Sequence, residues 1–166
     1  MKLSQKEIEI LEVLEADCRL PAQTIAKMVS LSTEEVEASI KKLENSKVIV
    51  QYVPMIDWNK VNGLENVTAM IDVKVTPKRG VGFDEVAERI YRYPEVKSVY
   101  LMSGAYDLSV VIEGRSMPEV ANFVSEKLST LDSVISTTTH FMLKKYKHDG
   151  TVFDQDDKDQ RIVVSP

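Results

Sequence analysis

The side chains able to do covalent or metal chemistry are few in this chain of 166 residues. Its one cysteine, Cys18, leaves no intrachain disulfide and no cysteine-rich zinc site to build. Its two histidines, His140 and His148, have no helical i, i+4 partner with which to share a metal. No Cys/His pair is placed for nucleophilic attack. Gly80 and Gly82 follow a strand and lack the spacing of a phosphate-cradling loop. These residue types predict no metal, no cofactor and no catalytic group. What remains is recognition chemistry: Lys27, Lys41, Lys42 and Lys47 can each neutralise a phosphate.

Those lysines have to be positioned by the first segment, residues 1–60, which reads as three short helices and a β wing with its linker. Ser4 with Glu7, and Ser32 with Glu35, are spaced as capping boxes, in which each side chain satisfies an orphan N–H at a helix start. Ile8, Ile10, Leu11 and Leu14 give the first helix apolar positions three and four apart. Pro21 suits the start of a second helix with Ile25, Ala26, Met28 and Val29 on its buried side. Val36, Ile40 and Leu43 form a one-sided stripe on the third. The short connection Val29-Ser30-Leu31 makes the last two a helix-turn-helix. Val48 to Val53 is β-prone and predicts a small wing, which Pro54 limits to a sheet edge or a strand end.

In a winged helix-turn-helix the third helix enters the major groove of double-stranded DNA. Thr33, Glu37, Ala38, Lys41 and Lys42 are its candidate contacts, flanked by Lys27 and Lys47. Glu34 and Glu35 are better explained by the positive end of the helix dipole. The net charge of −5 argues against indiscriminate binding to nucleic acid. Residues 1–60 themselves hold eight basic and ten acidic side chains. Affinity must therefore be multiplied by assembly.

Residues 61–146 change period. Val67, Ala69, Ile71, Val73 and Val75 alternate with Thr68, Met70, Asp72, Lys74 and Thr76, a period of two that marks a half-buried strand. The order continues as a helix from Phe83 to Tyr93, strands Val96–Ser103 and Leu108–Glu113, a helix from Met117 to about Leu131, and a strand Val134–Lys145. This β-α-β-β-α-β order predicts a ferredoxin-like domain and an overall α+β class. Both helices then cover one sheet face. Met70, Tyr100, Met102 and Val111 make the other face too apolar to be wholly wet, so it predicts a homodimer packed sheet to sheet. Residues 147–166 carry five acids against three bases and predict a flexible acidic tail.

Together the halves resemble the Lrp/AsnC (feast/famine) family of transcription regulators. The likeness rests on LSTEEVEASIKKLENSKVI in the first half, then on VYLMSGAYDLSVVIEG and STTTHFMLKKYK in the second. The resemblance implies a DNA operator as partner, dimers that associate into octamers, and an amino acid or related metabolite bound where dimers meet. It places the effector site on the turn Gly104-Ala105-Tyr106-Asp107, with Thr137 and Thr139 at paired hydroxyl positions. Asp107 can accept from an effector's ammonium, while N–H and hydroxyl donors take its carboxylate.

Two alternatives stand beside that reading. The acidic third helix fits an adaptor whose helix-turn-helix contacts protein. Chains of similar build also serve as sirohaem decarboxylases, so likeness of fold alone leaves tetrapyrrole chemistry open. No run of about 18 apolar residues is present, which predicts no membrane helix. The start MKLSQKEIEILEVLEAD is too acidic for a signal peptide, which points to the cytoplasm.

Overall fold

A computed structural model describes residues 2–61, 66–76 and 82–153. Pro77 to Gly80, residue types suited to break a strand, Gly63 and the tail beyond Phe153 lie outside them. The chain divides into two compact units, Met1–Ile56 and Asp57–Pro166.

The first unit holds α1 (Gln5–Ala16), α2 (Ala22–Val29) and α3 (Thr33–Asn45). Ser4 and Ser32 cap α1 and α3, each in a complete capping box with Glu7 or Glu35. Pro21 is the cap of α2 in extended conformation, one residue ahead of the first helical position. Ile10, Leu14, Ile25, Ala26, Val29 and Val36 form the buried core, with Ile40 and Ile49 packed against it. Three helices this short are stable only because they share that core.

Two expectations fail in this unit. Met28 is exposed, at 59%. Ile25, Ala26 and Val29 set the buried stripe, and at 100° per residue Met28 points about 100° away from its centre. The wing is also missing, since residues 48–53 are not in a strand. Lys47 turns left-handed (φ 58°), and the N–H groups of Val48 and Ile49 both return to the Leu43 carbonyl. The chain beyond finds no ladder partner among the described residues, and a strand exists only through one. Val50, Tyr52 and Val53 are left exposed.

The second unit opens with a single turn of tight helix at Trp58–Lys60. It continues with β1 (Val67–Val75), α4 (Phe83–Tyr91), β2 (Val96–Leu101), β3 (Leu108–Gly114), α5 (Met117–Phe123) and β4 (Val134–Phe141). The four strands form one antiparallel sheet in the order β2-β3-β1-β4, the ferredoxin-like arrangement. Alternation decides its faces: Ala69, Ile71, Val73 and Val75 of β1 are buried with Leu108, Val110 and Ile112 of β3. Val86 and Ile90 of α4 and Val120, Phe123 and Leu128 complete that core.

Helix α5 passes into a wider π-turn at Val124–Leu128, so the helical run stops short of Leu131. Strand β4 stops at Phe141, well before Lys145. Ala69 is the last β1 residue to pair with it, after which only the Met142 N–H reaches the Thr68 carbonyl. Residues expected in the flexible tail instead form a hairpin of β5 (Lys147–His148) and β6 (Thr151–Val152). Asp149 and Gly150 take positive φ at its turn, as a type I′ turn requires. Among the described residues no helix is long and apolar enough to cross a membrane.

Candidate DNA-contact helix and effector turn

Helix α3 is set off from α2 by a tight left-handed turn. Ser30 has φ 56° and ψ 52°, which ends α2, and Ser32 starts α3 two residues later. Glu35 is committed to the cap: its carboxylate takes the Ser32 N–H at 2.8 Å. That bond, together with the Ser32 hydroxyl, holds the Glu35 carboxyl below its ordinary range. Thr33, Glu37 and Lys41 follow at i, i+4 and i+8 and share one side of the helix with Ala38. Glu37, Ala38 and Lys41 are exposed and Thr33 is half-buried. That face can offer a carboxylate to cytosine N4, a methyl to thymine and an ammonium to phosphate. Lys27 is exposed in the last turn of α2, and Lys47 is exposed just past α3.

Lys42 is placed differently. Its Nζ lies 2.6 Å from Oε1 of Glu7 on α1. The Glu7 side chain is only 9% exposed, and its other oxygen takes the Ser4 N–H at 2.7 Å. With Lys42 as the leading cause, the Glu7 carboxyl is lowered to about 2. Sequence spacing gave no sign of this pair, because its members are 35 residues apart.

In the second unit the turn Gly104-Ala105-Tyr106-Asp107 joins β2 to β3. The Met102 N–H reaches the Asp107 carbonyl at 2.8 Å, and the Asp107 N–H reaches the Val73 carbonyl at 3.1 Å. Oδ2 of Asp107 accepts the Val75 N–H at 2.8 Å. Gly104, at φ 150°, and Ala105 are exposed, while Tyr106 and Asp107 are half-buried. Across β1, Thr137 pairs with Val73 and Thr139 with Ile71. Asp107 and Thr137 therefore flank the same residue, Val73. Both threonines lie on the helix-covered face, where their position on an edge strand leaves them half-buried. The opposite face of β4 carries Thr138 and His140, whose Nε2 lies 3.1 Å from Asp72 Oδ2.

Met70 and Tyr100 stand on that uncovered face and are exposed, with Met102 exposed just past the end of β2. Val111 pairs with Met70 and is half-buried. At the far end of β3 from the turn, a cleft of about 160 Å³ is lined by Glu95, Glu113, Glu119, Glu126, Lys127 and Phe123, among others. Lys127 bonds Glu95 there and lies over the Tyr93 and Phe123 rings. That ammonium lowers the Glu95 carboxyl. Among the described residues no group of three or more His, Cys, Asp or Glu side chains could hold a metal ion.

The two units match two family models, an AsnC-type helix-turn-helix domain over residues 3–44 and an Lrp/AsnC ligand binding domain over residues 68–152. The chain is 70% identical over its whole length, and the whole of that protein's, to the uncharacterised HTH-type transcriptional regulator YugG of Bacillus subtilis. It is 30% identical to the HTH-type transcriptional regulator FL11 of Pyrococcus furiosus, over 84% of this chain and 88% of that one. A transcriptional regulator of Neisseria meningitidis, solved in complex with L-Met, superposes with a TM-score of 0.73 and 26% identity. That likeness covers 93% of this chain and 98% of that one.

Proposed function

The chain belongs to the Lrp/AsnC family of helix-turn-helix transcription regulators, and from that premise we propose how its two units work. Dimers read an operator through α3, with Thr33, Glu37, Ala38 and Lys41 toward the bases and backbone, and Lys27 and Lys47 on flanking phosphates. An amino acid or related metabolite binds at the Gly104–Asp107 turn, with its ammonium on Asp107. The dimer forms by packing the sheet faces that carry Met70, Tyr100, Met102 and Val111, and dimers associate further. The protein works in the cytoplasm as a regulator and carries no catalytic step or fixed cofactor.

The observation that carries the effector reading is the state of Asp107. Oδ2 is fixed by the Val75 N–H, and Oδ1 has no partner among the described residues. A carboxylate already oriented by backbone is a preorganised acceptor for an ammonium. The L-Met held by the Neisseria regulator supports an amino acid as the ligand class. Thr137 and Thr139 contribute from the helix-covered side of the neighbouring edge strand.

Thermal-shift screening of the twenty amino acids tests this reading, because a ligand that binds the native state raises the melting point by mass action. One or more should stabilise the wild type and leave Asp107→Asn unmoved. A ligand that stabilises the variant equally would place its site elsewhere, with the acidic cleft beside Lys127 the next candidate.

The exposed Glu34 and Glu37 favour a second reading, an adaptor whose α3 contacts protein. Selection of duplexes from a random-sequence pool separates the two. Enrichment of a binding sequence supports the operator reading, and failure to enrich any supports the adaptor.

A further inference from the structure

Lys42 belongs to the helix read as the DNA-contact element, and its side chain is 54% exposed like an ordinary surface lysine, yet its ammonium is bonded to a carboxylate of α1. The acceptor, Glu7, is nearly buried and spends both oxygens, one on the Ser4 N–H and one on Lys42. The preceding residue makes a parallel link: Lys6 Nζ donates to the Val29 carbonyl at 2.7 Å and pairs with Glu9 at 2.8 Å. Val29 ends α2, immediately before the left-handed Ser30. Two consecutive residues at the start of α1 thus hold the C-terminal end of α2 and the last turn of α3.

A bond this far along α3 has leverage. Lys42 sits in the helix's last turn, whereas Thr33 and Glu37 sit nearer its start. A tether at one end of a rigid helix sets the angle at which the other end is presented. Apolar contacts of Val36 and Leu43 fix how deeply α3 is seated, but they are not directional. A charge-assisted bond to a capped carboxylate is directional.

We propose that Glu7 and Lys42 form a strut that positions the DNA-contact helix, and that Lys42 acts on DNA affinity through Glu7 and not by touching phosphate. This rests on the reading of α3 as the DNA-contact element. Lys41, one residue earlier, exposed and without an ionic partner among the described residues, is then the cation of that turn that meets DNA. Loss of the strut leaves a nearly buried carboxylate without its ammonium and lets α3 sample other angles, so binding must reorder it at a cost in affinity.

The test measures affinity against salt for a duplex that the wild type enriches from a random-sequence pool. Each lost phosphate contact lowers the magnitude of the slope of log K on log salt by about 0.9. Lys41→Gln should show that loss. Lys42→Gln should weaken binding by roughly tenfold at every salt concentration with the slope unchanged, and adding Glu7→Gln should weaken it little further, as for coupled partners. A slope that falls with Lys42→Gln overturns the proposal, and so does a Glu7→Gln variant that binds as well as wild type or better. Circular dichroism of each variant checks that the helices remain.

If the wild type enriches no duplex, the DNA reading fails by itself, and the strut is tested without DNA. The Glu7 carboxyl, followed by carbon-13 NMR, should titrate at markedly higher pH in Lys42→Gln than in wild type. An unchanged midpoint overturns the strut.

Discussion

Asp107 and Val75 stand 32 residues apart in the chain and are joined by one bond, 2.8 Å from the Val75 N–H to Oδ2 of Asp107. The bond ties the β2–β3 turn to the last residue of β1, so the candidate effector acceptor is also a brace of the sheet. Replacing Asp107 therefore has two separable effects. Asp107→Ala removes a charged acceptor and leaves the Val75 N–H wanting a partner, which should cost about 1.5–3 kcal/mol. Asp107→Asn keeps an oxygen for Val75 but removes the charge an ammonium needs. Urea unfolding should find the alanine variant destabilised and the asparagine variant near wild type, with the ligand-induced thermal shift lost in both. An asparagine variant as unstable as the alanine one would show that Val75 requires the charge.

What could be read from sequence follows the range of the interactions. The capping boxes of Ser4 with Glu7 and Ser32 with Glu35 span three residues, so type and spacing reveal them. The alternation of β1 is equally plain, because Thr68, Asp72 and Lys74 contrast with Val67, Ala69, Ile71, Val73 and Val75, and only Met70 breaks the pattern. Strand β4 offered no such contrast: Ser136, Thr137, Thr138, Thr139 and His140 are all polar. Its facing was decided by pairing with β1 and by the irregularity between Lys74 and Val75. Glu7 with Lys42 and Asp107 with Val75 are long-range pairs that exist only after the chain folds. The β5–β6 hairpin, by contrast, carried a legible signal in Asp149-Gly150, a dipeptide suited to a type I′ turn.

Ser30 gives a prediction on stability. Its φ of 56° and ψ of 52° lie in the left-handed region, which glycine adopts without the steric penalty of a Cβ. Among the described residues its hydroxyl makes no hydrogen bond that offsets that penalty. Ser30→Gly should stabilise the first unit by up to about 1 kcal/mol, after allowance for the entropy glycine adds to the unfolded chain. Chemical denaturation followed by helical circular dichroism would show it. A fall in stability would mean that the serine hydroxyl does more in this turn than satisfy its own solvation.

The uncovered sheet face gives a prediction on assembly. Met70 is 44% exposed and pairs with Val111 across two central strands. A carboxylate there would be buried without a partner when two faces meet. Met70→Asp should convert the protein to monomer in sedimentation analysis. Met28→Asp, at the exposed position on α2, should leave assembly unchanged. A Met70→Asp protein that still sediments as a dimer would remove this face from the interface.

Acid gives the final prediction, because the Glu7 carboxyl is lowered from 4.5 to about 2 by Lys42 and by the backbone and hydroxyl of Ser4. A carboxyl that is more acidic in the folded than in the unfolded state stabilises the fold wherever both are ionised, above its unfolded pKa. As pH falls the unfolded chain takes up the proton first, so the contribution declines from about 4.5 and is gone below about 2. The melting point of the first unit should fall through that window. Glu7→Gln, which cannot titrate, should start lower at neutral pH and lose less on acidification. The exposed Glu35, lowered by its own cap, contributes in the same direction, so Glu7→Gln should flatten the acid limb without abolishing it. An acid limb identical to wild type in Glu7→Gln would mean that Lys42 does not hold this carboxylate in solution.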